Sequence, residues 1–100
     1  MSAPSPLTIT PTESGLSVGG EIDAHTAPDL ASAIAECDQS TVVVDMSAVD
    51  FVDSSGLRVL IEAHQVADQA GRSLKLSNPS SAVSRLLEIS GVSDYLDVVG

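Results

Sequence analysis

Asp50-Phe51-Val52-Asp53-Ser54-Ser55-Gly56-Leu57 lies just past the middle of the chain, between two stretches of different periodicity. Before it stands an apolar run, Val42, Val43 and Val44. After it, Leu57 to Ala70 carries apolar residues at helical spacing. A strand, then a loop of small hydroxyl and acidic residues, then a helix: this order sets Ser54 and Ser55 where a helix begins. The first unpaired N–H groups and the positive end of the helix dipole lie there. A serine so placed serves as a helix cap, as an acceptor of phosphate or as a nucleophile.

Outward from that stretch the pattern is α/β. Leu7-Thr8-Ile9-Thr10 alternates and ends at Pro11, and Leu16-Ser17-Val18 alternates again through Gly19-Gly20 to Asp23. These two strands are expected to form an antiparallel hairpin, with the glycine pair marking a bulge or close backbone approach. Thr26 opens a helix in an imperfect capping box with Asp29, and Leu30, Ala33, Ile34 and Cys37 form its buried stripe. Thr41 to Val44 is apolar throughout, as expected of a central strand covered on both faces. In the helix after Ser54, polar Arg58, Glu62, Gln65 and Gln69 share a narrow arc. The wide apolar remainder implies neighbouring helices or an exposed flank for a partner. Gly71 stops this helix, and Ser73 to Ser77 is a further strand. Asn78 as cap and Pro79 at the first helical position open a third helix with Val83, Leu86, Leu87 and Ile89 inward, ended by Gly91. The order is β-β-α-β-α-β-α with a short tail, a single domain with a mixed sheet flanked by helices.

Composition narrows the function. Fourteen acidic against four basic residues give a formal charge of −10, which repels phosphate backbones and anionic membranes. Aromatics make up only 2%, so the core is built from Val, Leu, Ile and Ala. Cys37 is alone, so no internal disulfide forms and a reducing compartment is expected. Met1 to Pro6 has no signal-peptide character, no stretch reaches the length of a membrane span, and a cytoplasmic protein is the default.

The enzyme readings are weak. His64 lies ten residues after Ser54, roughly 15 Å along a helix, too far for a direct hydrogen bond. His25 approaches Ser54 only through tertiary folding, and there is no G-x-S-x-G elbow. One cysteine and two distant histidines make no metal ligand set. No phosphate-cradling G-x-x-x-x-G-K-[ST] motif is present. A receiver-type phosphoaspartate at Asp45 lacks the further acidic groups that hold magnesium.

Gly20-Glu21-Ile22-Asp23-Ala24-His25-Thr26-Ala27, followed by Phe51-Val52-Asp53-Ser54-Ser55-Gly56-Leu57, resembles the bacterial anti-sigma factor antagonists (anti-anti-sigma factors), which are single STAS domains. Asn78-Pro79-Ser80 to Gly91 is similar to the family's third helix. The resemblance implies a STAS domain over residues 7–100 behind a flexible N-terminus of residues 1–6. It implies a switch without a cofactor rather than an enzyme. Phosphorylation is expected on Ser54, by an anti-sigma factor that is itself an ATP-using serine kinase, with a PP2C-type phosphatase resetting the switch. Glu21, Asp23, His25, Asp53, Ser55, Gly56 and Leu57 are expected to surround the phosphosite or meet the partner. Asp23 and Asp53 position Ser54 or the kinase's magnesium, or are solvated loop carboxylates. Gly56 lets a partner backbone come close, or eases helix entry. The hairpin and first helix look shorter than is usual in the family, and little of its C-terminal helix is present. The alternative within the family is a scaffold subunit of a transporter or stress-signalling assembly, without phosphorylation.

Overall fold

Thr8 and Thr10 alternate with Leu7 and Ile9, and this period of two folds as β1 (Leu7–Pro11), antiparallel to β2 (Gly15–Ile22). The computed structural model describes residues 6–99. Of the expected flexible segment 1–6, residues 1–5 lie outside the described residues. The Pro6 carbonyl accepts a hydrogen bond from the Glu21 N–H at 3.0 Å, which extends the hairpin's pairing. Gly20 lies opposite, at φ +91°, where a Cβ would run into the Pro6 carbonyl oxygen. Only glycine tolerates both constraints.

From β2 onward every connection is a helical crossover. The chain runs through α1 (Ala27–Ala35), β3 (Thr41–Val52), α2 (Ser54–Gln69), β4 (Ser73–Ser77), α3 (Ser81–Ser90) and β5 (Asp97–Val99). The five strands lie in the order β1-β2-β3-β4-β5, with β2 to β5 parallel. Three successive crossovers step in the same direction, and crossovers of this kind are right-handed, so the three helices share one face. That face carries Leu16, Val44 and Leu76 in one row and Val42 and Leu74 in the next, within one core that also holds Leu30, Ile34, Leu57, Leu60, Val83 and Leu87.

The opposite face is open. Ser17, Asp45 and Ser77 form one of its rows, and Val43 and Lys75 another, with Lys75 Nζ 2.7 Å from Asp97 Oδ2. The expectation of a central strand covered on both faces is thus corrected: burial alternates along Val42, Val44 and Met46, and Val43 is only half-buried. The strand also runs eight residues past Val44, to Val52. Two register shifts against β2, between Ser17 and Gly19 and between Gly20 and Glu21, are bulges that keep its inward residues in phase.

Three further expectations change. Thr26 precedes α1, but its hydroxyl makes no capping bond. It donates to the Glu21 carbonyl (2.9 Å) and accepts from the Asp23 N–H (3.0 Å). Asn78 does not cap α3: it takes a left-handed φ of 48°, and the cap is Ser80, whose hydroxyl accepts from the Val83 N–H at 3.3 Å. Ile89 is 75% exposed, because α3 buries a narrow stripe of Val83 and Leu87. The tail after Tyr95 becomes β5. Part of the wide apolar arc of α2 packs beside α1, while Val66 stays 65% exposed.

Where α1 ends, Arg72 ties it to the start of β4. Nη2 donates to the Cys37 and Gln39 carbonyls, each at 2.7 Å, and Nε donates to Gln39 at 3.0 Å. A guanidinium over carbonyls at a helix C-terminus is well placed for both hydrogen bonding and the dipole. The Cys37 thiol beside it is pushed above its ordinary value by burial, which leaves it a packing group. Removing the clamp in Arg72→Ala is expected to cost about 1–3 kcal/mol in chemical denaturation, with Arg72→Lys recovering only part.

Candidate functional site

The carboxyl ends of β2 and β3 open onto the same edge of the sheet, the side on which parallel α/β sheets place their sites. Val52 ends β3, and the Asp53 N–H donates to the Ile22 carbonyl at 3.1 Å, joining the two strand ends. Asp53 has left the helical region (φ −114°, ψ −171°), and its carboxylate accepts from the N–H groups of Ser55 (2.8 Å) and Gly56 (3.3 Å). Asp53, and not Ser54, is therefore the cap of α2. Ser54 becomes the first residue of the helix. Its side chain is exposed, and its hydroxyl forms no hydrogen bond among the described residues.

Gly56 lies two residues further into α2 and is buried. A Cβ at this position would stand 2.6 Å from Ile22 Cγ2 and 2.7 Å from Val52 Cγ2. The missing side chain admits the protein's own strand ends, so the expectation that it admits a partner backbone is corrected. Leu57 is likewise a core residue, and neither offers a side chain to a partner.

The loop after β2 supplies the other wall. Asp23 accepts from the backbone N–H groups of His25 (2.9 Å) and Thr26 (3.0 Å), closing a tight turn. The Thr26 N–H foremost, with the His25 N–H, holds the carboxyl below its ordinary 3.8 against an opposing burial effect. Its carboxylate is thus engaged within its own loop. Glu21 and His25 are exposed, and Ser55 is half-buried.

Between loop and helix lies an open depression of about 480 Å³, lined by Ala24, Ala27, Pro28, Ser54, Ser55, Arg58 and Val59. Small side chains on the loop and on the start of α1 leave room over Ser54. Arg58 stands four residues after Ser54 and so one turn along the same face. Its Nε is 3.9 Å from Glu62 Oε1, a loose pair with both side chains largely in solvent. Arg58 reads in sequence only as part of a polar arc, although its i, i+4 spacing from Ser54 is the signal that identifies it. His64 is not part of this site. Its ring meets Tyr95 edge-on, centroids 5.0 Å apart, and its Nδ1 is buried without a partner.

A family model described as the STAS domain matches residues 7–99. The anti-sigma-B factor antagonist of Listeria monocytogenes is 36% identical over 84 residues, 81% of this chain and 74% of that protein. The protein of the same name in Bacillus subtilis is 31% identical over 85 residues, 83% of this chain and 78% of the relative. Among solved structures, an anti-sigma factor antagonist from Mycobacterium paratuberculosis superposes with a TM-score of 0.78 at 26% identity, covering 93% of this chain and 83% of the other.

Gly56→Ala is expected to destabilise the domain by about 1–3 kcal/mol, the usual cost of overpacking, whereas Ser55→Ala should lie within about 0.5 kcal/mol of wild type. Denaturant titration of both variants checks the contrast. Asp23 makes a second expectation. A carboxyl depressed on folding contributes stability that is present above its ordinary 3.8 and lost as pH falls through its folded value. The melting-temperature gap between wild type and Asp23→Asn should therefore be largest near neutrality and close in acid below that value.

Proposed function

The chain belongs to the STAS domain family, and from that premise we propose that it is an anti-sigma factor antagonist switched by phosphorylation of Ser54. The unmodified chain binds an anti-sigma factor that is also a serine kinase and so frees a sigma factor. Transfer of phosphate to Ser54 ends that binding, and a PP2C-type phosphatase restores it. The protein acts in the cytoplasm through protein contact, without catalysis or direct nucleic-acid binding. Among the described residues no helix is long and apolar enough to cross a membrane.

The observation that carries the proposal is the division of labour between Asp53 and Ser54. The aspartate takes the cap, so the serine hydroxyl is left exposed and uncommitted over an open depression. A serine that capped the helix would have to give up that bond to be modified.

Phosphate at Ser54 adds about −1.5 to −2 charges at neutral pH. Locally this charge is tolerated: the helix N-terminus contributes roughly 0.3–1 kcal/mol, and Arg58 stands one turn away. An interface closed over the neutral hydroxyl does not tolerate it, because a desolvated, unpaired dianion costs several kcal/mol. The switch thus acts on the interface and leaves the fold intact.

Incubation with the anti-sigma factor and ATP should place phosphate on Ser54. Ser54→Ala should abolish incorporation and keep binding, while Ser55→Ala should incorporate normally. Phosphorylated and unmodified chains should differ by less than about 1 kcal/mol in denaturation, and by about 2 kcal/mol, roughly thirtyfold, in affinity by titration calorimetry. Phosphate mapped to Ser55, or a loss of stability matching the loss of affinity, would overturn the mechanism.

A further inference from the structure

Phe51 is one of only two aromatic residues in the chain, yet it is 48% exposed. A phenylalanine gains more from burial than almost any other side chain, so a half-exposed one in an aromatic-poor protein calls for a physical account. The bulge between Gly20 and Glu21 supplies the geometric part. Gly20 pairs with Val49 and Glu21 pairs with Phe51, which leaves Asp50 as the extra residue of β3. The next pair, Ile22 and Val52, points to the helices, since both side chains crowd Gly56. Glu21 and Phe51 therefore project from the open face of the sheet, at its carboxyl edge.

That position is continuous with the site. Two residues separate Phe51 from Ser54, and Asp53 between them is bonded to Ile22 on the neighbouring strand end. The charged groups around Phe51 are acidic: Glu21 across from it and Asp50 before it, both exposed, with Asp45 further along β3. The only cation in the β4 part of this face, Lys75, is already paired with Asp97. An exposed aromatic with an anionic surround matches a partner surface of the opposite kind.

The geometry points to Phe51 as the apolar anchor of the interface with the anti-sigma factor, entering an apolar pocket rimmed by basic side chains on that partner. The inference rests on the antagonist reading above and extends its interface from the Ser54 depression around the strand ends to the open face. Buried aromatic anchors dominate interface energies, so one residue suffices for a measurable effect.

The test is titration calorimetry of the full chain against the anti-sigma factor that phosphorylates Ser54. Phe51→Ala should weaken binding about tenfold or more while the chain keeps a single cooperative denaturation transition. Phe51→Leu should recover part of the loss, and Val66→Ala, an exposed apolar residue on α2, should bind within about twofold of wild type. Affinity should also fall with added salt, as a basic rim requires. A Phe51→Ala chain that binds like wild type overturns the anchor, as does an equal loss in Val66→Ala. So does a concentration-dependent dimer of the free chain that Phe51→Ala abolishes, since Phe51 then covers a second copy. Salt-independent affinity overturns the basic rim. If phosphorylated chain still binds while Phe51→Ala does not, the switch reading falls and the anchor stands. If wild type binds no anti-sigma factor, both fall.

Discussion

The first turn of α2 rests directly on the ends of β2 and β3, and the rest of the site depends on that contact. Ile22 and Val52 fill the space a side chain at position 56 would need, so the helix approaches the strands as closely as backbone allows. The approach places the helix start beside the Asp23–Thr26 turn, and the depression over Ser54 lies between them. The Asp53 N–H to the Ile22 carbonyl locks the same junction from the backbone side. Protein interiors are packed too tightly to absorb an added methyl group without displacing something. A displacement here moves the serine relative to everything that faces it.

Electrostatics then separates two acidic loops with different tasks. Asp53 completes the helix, and Asp23 completes a turn, each by accepting backbone N–H groups. Neither carboxylate is free to activate the serine, and the His64 ring packs against Tyr95 instead. What is left at Ser54 is an exposed hydroxyl on the positive end of a helix, one turn from an arginine. Such a place receives an anion without strain on the fold. In a protein of formal charge −10, the helix end and Arg58 offset part of the repulsion an added dianion meets.

The one-sided arrangement of helices has its own consequence. Because all crossovers step the same way, the core lies on one face of the sheet and the other stays accessible. The two faces meet at the carboxyl edge, where Phe51 and Ser54 stand three positions apart in sequence. A partner that reads this edge contacts both faces. The STAS relatives named anti-sigma factor antagonists share the fold over most of their length, which makes the edge the natural place for comparison among them.

The sequence by itself determined the element order, the hairpin, the glycine ends of α2 and α3 and the place of Ser54 at a helix start. Each of these rests on local physics: period-two or helical apolar spacing, and the conformational limits of glycine and proline. Tertiary structure decided what local pattern leaves degenerate. Asp53 and Ser54 are both good caps, and it is Asp53, bound through its N–H to the Ile22 carbonyl, that leaves the helical region. The run of valines in β3 reads as buried on both faces, but the direction of three crossovers leaves one face open. The role of Gly56 was equally hidden, because a missing side chain looks the same whether the protein's own strands or a partner occupy its space. Which of these occupies it depends on atoms more than thirty residues away in the chain, at Ile22, and sequence spacing does not encode that distance.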